Sequence, residues 1–355
     1  AELANSAAAP FCRPEVREYI EQACKEVREH IRSAKEKGKN YDSIRVELEQ
    51  KFGLEHRMLD NVFDPEVIKA DSILDANPNL TIEDFAAYGY KPNSRIVIVD
   101  GCYCGSFHQP DCIANEYIFA DGRTVAVVGN TVNVLQDKWS DRFMGLTALG
   151  GCVGDIVRYA TYLESHCVGD PTFRYKPVGE SYDIDAIIYD DNLATWKKLY
   201  KTATAADVKS LAMEHLYRHN AISSSELLKV FKESPESLVR MQALFLLGMM
   251  HDDNMVEAIA IGTEDENEFV QRQAIKYVAQ SGDPRLLSPL VAVCIRNNTS
   301  ERCNFNALSA IESYPKQDVL NEFYRQFDSP SVCYINKDTV RAEIEKAFIN
   351  GCDRM

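Results

Sequence analysis

The sequence predicts an α/β layer followed by an all-α helical-repeat region. Two short apolar runs, residues 96–99 and 124–129, flank one helical stretch, as in a β-strand, helix, β-strand unit. Alanines then recur at similar places in successive helices after residue 200. A chain of 355 residues is long enough for two or three such domains. We therefore predict a helical insertion or pro-segment over residues 1–78, an α/β subdomain over 79–177, a linker over 178–200 and helical repeats over 201–355.

The first 78 residues are predicted to be mainly helical and highly charged. Residues 41–52 form a second amphipathic helix after a polar turn at Gly38. His30 and His56 lie in or just beyond these helices and are typical of solvated surface histidines, although histidine is also a frequent catalytic residue. The earlier helix is indicated by apolar residues at three-to-four-residue steps, namely Val16, Tyr19, Ile20, Cys24 and Val27.

The central strand is predicted at Ile96–Val99, because a run of β-branched residues without alternation is typical of a strand buried on both faces. A helix follows over Cys112–Phe119 and a second strand over Thr124–Gly129. Parallel strands joined in this way end at the same sheet edge. We therefore expect Cys102, after the first strand, to lie beside Asn130 and Thr131, after the second.

The remainder of the α/β region is less regular in sequence. Residues 143–163 are rich in glycine at their start and helical later, and His166–Pro171 is predicted as a turn. After residue 200 the pattern is continuously helical, and four alanines lie 31, 31 and 33 residues apart, at Ala212, Ala243, Ala274 and Ala307. Periods of this size predict a solenoid of helix pairs similar to HEAT repeats, which offers a concave surface to protein partners.

Composition excludes several classes of function. The formal net charge of −15 argues against nucleic acid or anionic lipid as a main partner. No apolar run reaches the roughly 20 residues that cross a bilayer. The 11 cysteines contain no pair of C-x-x-C motifs, so a zinc ribbon is not predicted, and Cys102 and Cys104 form only a lone C-x-C. No metal ligand set is evident, and we expect no cofactor.

Cys102 is the candidate nucleophile. It follows the Asp100-Gly101 stop of the central strand, and the crevice beyond the carboxyl ends of parallel strands is where α/β proteins bind ligands. A thiolate there is reactive, and backbone amides of the turn from Cys102 to Gly105 are suited to hold an oxyanion. The alternative is a structural cysteine, since free cysteine is among the most buried residue types.

Four segments in order resemble the gingipain-type cysteine peptidases. The first is Cys102 with glycine at +3 and phenylalanine at +5. Residues 112–116 resemble the helix that follows, residues 125–133 the next strand with its Ser/Thr-Asn turn, and residues 168–171 the closing Gly-Asp-Pro. This resemblance covers residues 79–177 and implies the caspase-like α/β sandwich. It also implies peptide-bond hydrolysis through a Cys102 thioester, with Cys104 as a bystander or a redox partner.

The sequence departs from that family at the general base. The family's histidine is followed by glycine on a strand upstream of the cysteine, and this sequence contains no His-Gly pair. We therefore expect part of the sheet, with its histidine, to be supplied by an N-terminal fragment of the same precursor, and residues 1–78 to be an insertion cut near Ala1. His108 and His166 are the alternative bases within the chain.

The predicted function is that of a cysteine endopeptidase acting on a peptide or protein substrate. Asn130, Thr131 and Trp139 are the predicted substrate-binding residues, with Trp139 as a wall of the specificity pocket. The resemblance also permits a stabilising calcium ion and favours an exported protein. The alternative function is a catalytically inactive caspase-like scaffold that binds protein partners through its helical repeats.

Overall fold

The structure is a computed structural model that describes residues 26–27, 29–31, 33–52, 82–109, 111–134, 138–159, 162–177, 182–296 and 300–352. The chain divides into two compact units, residues 1–81 and residues 82–355. In the first unit, helix α1 spans Tyr41–Phe52. Its Ile44 and Leu48 bury themselves against Ala34, so the predicted amphipathic helix is confirmed. The interpretation of His56 and of residues 1–25 falls outside the described residues.

The second unit begins with short elements around a small sheet and continues as a series of helices. Up to residue 188 these elements are α2 Ile82–Tyr88, β1 Ile96–Val99, α3 Ile113–Phe119, β2 Ala126–Asn130, a 3₁₀ helix Met144–Leu149, α4 Val153–Val157, β3 Ser165–Gly169 and α5 Ile184–Ile188. The later helices are α6 Leu193–Thr202, α7 Ala206–Arg218, α8 Ser224–Glu233, α9 Ser237–Gly248, α10 Asp253–Gly262, α11 Glu268–Ser281, α12 Leu287–Ile295, α13 Glu301–Ile311, α14 Lys316–Phe327 and α15 Lys337–Cys352.

The three strands form one sheet in the order β1-β2-β3. β1 and β2 are parallel, with Ile96 opposite Ala126, and α3 connects them, so the predicted strand, helix, strand unit is confirmed. β3 runs antiparallel to β2, with His166 opposite Gly129. One sheet face packs on α3 and the other on α4. Within the described residues no strand pairs with the second edge of β1.

Three local predictions differ from the structure. Residues 165–169 form strand β3 rather than a turn, because their backbone groups complete the ladder of β2. The helical portion expected within residues 143–163 is short, since left-handed Phe143 and Gly150 bound a 3₁₀ helix. The predicted linker over 178–200 includes α5 and most of α6, where the buried Trp196 joins the core of the repeats.

The helical repeats are confirmed as successive helix pairs. The four alanines Ala212, Ala243, Ala274 and Ala307 lie on α7, α9, α11 and α13, the first helix of each pair, and all are 0 % exposed. Such small side chains let helices approach closely, as where Gly262 faces Ala274 across α10 and α11. The second helices of two pairs have side-chain N-caps. Ser223 accepts a hydrogen bond from the amide of Glu226, and Asp252 accepts one from the amide of Met255.

A buried polar network joins the α/β part to the repeats. Arg142, just before the 3₁₀ helix, forms an ion pair with Glu214 of α7 and donates from Nε to Gln242 of α9 over 3.0 Å. Burial acts to raise the pKa of Glu214, but the charges of Arg142 and Arg218 outweigh it and hold that pKa below its ordinary value. The fold is therefore helix-rich with a small three-stranded sheet, and the larger caspase-like sandwich stays a prediction.

Candidate functional site

The turn after β1 holds Cys102 in a fixed backbone frame. The amide of Tyr103 donates to the carbonyl of Val132 over 3.2 Å, and the amide of Gly105 donates to that of Asn130 over 2.8 Å. The hydroxyl of Ser106 donates to the carbonyl of Thr131 over 2.9 Å. The segment after β2 thus binds the turn at three points, as expected when two parallel strands end side by side.

Close backbone approach explains both glycines in this arrangement. A Cβ atom on Gly105 would lie 2.9 Å from the carbonyl carbon of Gly129, and one on Gly129 would lie 3.1 Å from the amide nitrogen of Gly105. Tyr103, two residues before Gly105, has a left-handed backbone with φ of 59°, which is uncommon for a residue other than glycine. The turn is consequently shaped by backbone contact rather than by side-chain packing.

Asn130, a predicted substrate-binding residue, is 3 % exposed, and its buried side chain stabilises the turn. Its side-chain amide donates to Asp100 Oδ1 over 3.2 Å and to the carbonyl of Gly101 over 3.3 Å. Ser165 of β3 donates to its Oδ1 over 2.6 Å. The neighbouring Thr131 is half-buried and donates to the carbonyl of Glu164 over 3.3 Å. In this structure both residues position the loops around Cys102.

The sulfur of Cys102 is half-buried and faces the backbone of Val134. The amide of Val134 donates to Sγ over 3.4 Å, and the thiol lies 3.6 Å from the carbonyl of the same residue. Within the described residues the amides of Cys102 and Cys104 have no hydrogen-bond acceptor, whereas those of Tyr103, Gly105 and Ser106 are engaged. Within the described part of the turn, the amides of Cys102 and Cys104 are therefore the unengaged donors.

Cys104 lies deeper in the same turn. Its thiol contacts the carbonyl of Cys102 at 3.7 Å, and a Cβ atom on Gly101 would lie 2.7 Å from its sulfur. Burial raises the pKa of the Cys104 thiol, which disfavours the reactive thiolate. Both cysteines are free thiols. Both interpretations of Cys104, as a bystander and as a redox partner of Cys102, stay predictions.

The histidines are placed near the turn but not on the sulfur. His166 projects from β3 and its ring lies edge-on to Phe107 with centroids 6.4 Å apart, while His108 is exposed. His30, in the first unit, pairs with Glu47 over 3.1 Å. In the part of the chain that the structure describes, no hydrogen bond joins a histidine to Cys102.

A cavity of about 490 Å³ opens beside the candidate site. Asp100 and the loop 138–141 form one wall, and the first turns of α9 and α11 form the other. Trp139 is among the lining residues but is only 6 % exposed, because its ring packs edge-on against Phe245 of α9. The ring of Trp139 is therefore held in place by the repeat region, and its role as a wall of a specificity pocket stays a prediction.

Lys138 is a residue of this site that the sequence did not single out. Its ammonium pairs with Glu164 and lies 4.8 Å from the centre of the Tyr162 ring. Burial lowers the pKa of Lys138, while the nearby Asp100 and Cys102 act in the opposite direction. A single lysine in a polar loop gives no sequence signal, since its proximity to Cys102 depends on the fold.

One group in the described residues brings three potential metal ligands together. Atoms of Cys152, Asp155 and Asp185 lie within 4.8 Å of one another. Asp155 already accepts hydrogen bonds from Tyr189 and Cys152. Asp185 pairs with Arg174, while its Oδ1 is buried without a hydrogen-bond partner within the described residues. The resemblance-based expectation of calcium stays a prediction.

Comparison with known proteins supports the repeat region. A family model described as HEAT repeats matches residues 224–312. No curated protein matches the chain. The C-terminal helices are therefore HEAT-like, in agreement with the alanine spacing. None of the described helices combines the length and the apolar character needed to span a bilayer.

Proposed function

We propose that the chain is a cysteine endopeptidase in which Cys102 is the nucleophile. The thiolate attacks the carbonyl carbon of the cleaved bond, and the C–N bond breaks to leave a thioester on Cys102. An imidazole gives its proton to the departing amine, and water then hydrolyses the thioester. HEAT repeats are commonly protein-interaction modules, and here they are proposed to contact the peptide or protein substrate.

The observation that supports this proposal most is the backbone frame around Cys102. Cys102 is half-buried just after the carboxyl end of β1, two residues beyond Asp100 of the cavity lining. The turn is fixed by hydrogen bonds with the end of β2 and the segment after it. A nucleophile requires this kind of pre-set geometry. The two unengaged amides of Cys102 and Cys104 provide donors for an oxyanion.

Among the described residues, no strand pairs with the edge of β1 that faces away from β2, and this edge provides a place for the missing base. A further parallel strand on that edge would end beside Cys102, because parallel strands in one sheet end at the same side. We propose that the histidine is carried by such a strand, from a polypeptide of the same precursor. His166 and His108 are the alternatives within this chain, and in the structure the ring of His166 contacts Phe107.

Selective alkylation tests the nucleophile. The protein is isolated from its source with any associated polypeptide retained, treated with iodoacetamide at pH 7, and analysed by mass spectrometry at each cysteine. Cys102 is expected to react about 10-fold faster than the exposed Cys333, because the proposed histidine would take up its thiol proton. Cys102→Ala should abolish peptide cleavage, and Cys104→Ala is the matched control that should retain it. Labelling of Cys102 no faster than Cys333, without turnover, would contradict the proposal.

The second candidate function is an inactive scaffold that binds protein partners through the repeats. It is favoured by the sulfur's contacts, which in the described residues are with backbone atoms of Val134 and not with an imidazole. The alkylation experiment separates the two, since a scaffold would bind partners equally well with Cys102→Ala and would show no turnover in either form.

A further inference from the structure

The cavity of about 490 Å³ has walls from two regions of the second unit. The sheet region contributes Asp100, directly after β1, and the loop 138–141. The repeats contribute the first turns of α9 and α11. Cys102 is not among the lining residues, so a group bound here would contact the sheet region and the repeats together without reaching the sulfur.

Two carboxylates of this lining have no cationic partner. Asp100 accepts hydrogen bonds from the neutral side chains of Asn130 and Ser140. Asp141 lies exposed on the rim. Within the described residues neither carboxylate forms an ion pair. A cation that entered the cavity would therefore meet two negative charges that the fold leaves unmatched.

The two basic side chains of the lining are already matched by other carboxylates. Arg272 pairs with Glu268 over 3.5 Å. The ammonium of Lys138 is buried against Glu164, and within the described residues it donates no hydrogen bond. Burial lowers the pKa of Lys138 and the charge of Asp100 opposes that shift, but the ion pair of Lys138 is with Glu164. Neither cation closes an ion pair with the carboxylates that line the cavity.

The rim beside α9 and α11 carries further negative charge. Glu236 and Glu266 each directly precede a lining residue, and both are exposed. Arg240 pairs with Asp265 over 2.7 Å. Hydrogen bonds to Asp265 raise the pKa of Arg240, and the nearby charges of Glu266 and Glu236 add to that shift. One guanidinium thus faces three carboxylates, and the rim has a surplus of negative charge.

The apolar part of the lining suits the stem of a long basic side chain. Ile98, Leu238 and Phe269 are half-buried and contribute apolar surface to the cavity. Lysine and arginine place their methylene groups along such surface while the charged end stays with polar groups. The volume of about 490 Å³ lies within the usual range for sites that enclose small groups.

We infer that this cavity binds an arginine or lysine side chain of a protein partner. Its charged end would lie at Asp100 and Asp141, and its methylene groups would lie against the apolar residues of α9 and α11. The inference goes beyond the proposed peptidase function, because it assigns a docking surface that does not require Cys102. The overall formal charge of −15 agrees with a basic partner.

Peptide binding to the full-length chain carrying Cys102→Ala tests this inference without turnover. The probes are acetylated and amidated octapeptides of alanine and serine with a central Arg, citrulline or Glu, titrated by isothermal calorimetry. Citrulline has the length of arginine but no charge. The Arg peptide is expected to bind at least about 10-fold more tightly than the citrulline or Glu peptide.

A charge reversal locates the site. Asp141→Lys should weaken the Arg peptide by about 10-fold or more and strengthen the Glu peptide, because the rim then favours an anion. Asp191→Lys makes the same change at an exposed residue outside the cavity and should leave the binding of both peptides unchanged.

Equal or tighter binding of the citrulline or Glu peptide, no peptide binding, or equal effects of the two variants would overturn the inference. Selective binding of the Arg peptide by a protein that cleaves nothing would support this docking surface and contradict the peptidase function alone. Peptide cleavage by the unsubstituted chain without selective binding of the Arg peptide would overturn this inference and leave the peptidase function standing.

Discussion

The sheet region, residues 96–169, and the helical repeats, residues 193–352, are stabilised in different ways. Two small clusters flank the sheet, each with three buried residues, and every residue of β1 is only half-buried. The repeats share one continuous apolar core that also includes Trp139, Phe143 and Tyr159 of the sheet region and reaches Cys352. The difference teaches that the repeats supply most of the burial energy, while backbone hydrogen bonds give the candidate site its shape.

The largest expected effect comes from breaking the network that joins the two regions. Glu214→Ala leaves the buried guanidinium of Arg142 without its carboxylate, and the free energy of unfolding should fall by about 3–5 kcal/mol. Urea denaturation measures this change. Replacing both residues with Met should recover much of the loss, because no charge then stays buried.

An exposed ion pair provides the control for that experiment. Asp328→Asn removes the partner of Arg341 at the surface of the repeats and should cost about 1 kcal/mol or less. If the two single variants lost equal stability, the buried network would not be what unites the sheet region and the repeats.

A smaller effect is expected from His215 in the core of the repeats. Its ring stacks on Trp196 at 3.7 Å and is hydrogen-bonded to the hydroxyl of Tyr159 over 2.9 Å, and burial lowers its pKa to about 4. The unfolded chain takes up a proton near the ordinary value of about 6.5, so acidification between these values favours the unfolded state. The free energy of unfolding should therefore fall by about 2 kcal/mol between pH 7 and pH 5 because of this residue.

Chemical denaturation at pH 7 and at pH 5 measures the contribution of His215 to the free energy of unfolding. His215→Gln should show a pH dependence about 2 kcal/mol flatter than the unsubstituted chain. His219→Gln, which changes an exposed histidine one residue beyond α7, should leave the pH dependence as it was. Identical curves for all three proteins would show that His215 is not held neutral by the core.

A substitution in the sheet region is expected to have the smallest effect on the free energy of global unfolding, although its effect on the candidate site is large. Gly105→Ala places a Cβ atom against the backbone of Gly129 and should displace the Cys102 turn. Global unfolding should change by less than about 1 kcal/mol, since the turn lies outside the main core. Peptide cleavage should fall by about 10²-fold, because a displacement near 1 Å is costly to catalysis. Gly351→Ala, whose Cβ has room in α15, is the control.

Local pattern and periodicity predicted part of this fold well. The run Ile96–Val99 and the alanine spacing predicted β1 and the repeats, because each depends on residues close together or on a regular period. Strand β3 was missed because His166–Pro171 carries turn-forming residues, and its pairing with β2 is a tertiary contact. The linker prediction missed the burial of Trp196 for the same reason.

Only the part of the candidate site that lies at the ends of β1 and β2 was predicted from the sequence. Cys102, Asn130 and Thr131 follow the ends of two parallel strands, so their proximity is deducible from topology. The contributions of Lys138, Leu238 and Phe269 come from segments that meet only when the repeats fold against the sheet. No local pattern in the sequence predicts the contact between the repeats and the sheet region.

The free edge of β1 has a consequence for the behaviour of the protein in concentrated solution. Four β-branched residues in succession present unpaired backbone groups there, within the part of the chain described. Natural sheets usually blunt such an edge with charge, proline or a covering segment, because it otherwise recruits strands from other molecules. Self-association through Ile96–Val99 would accordingly compete with the proposed histidine-bearing strand for the same hydrogen bonds. Dilution of the protein would favour pairing with that strand.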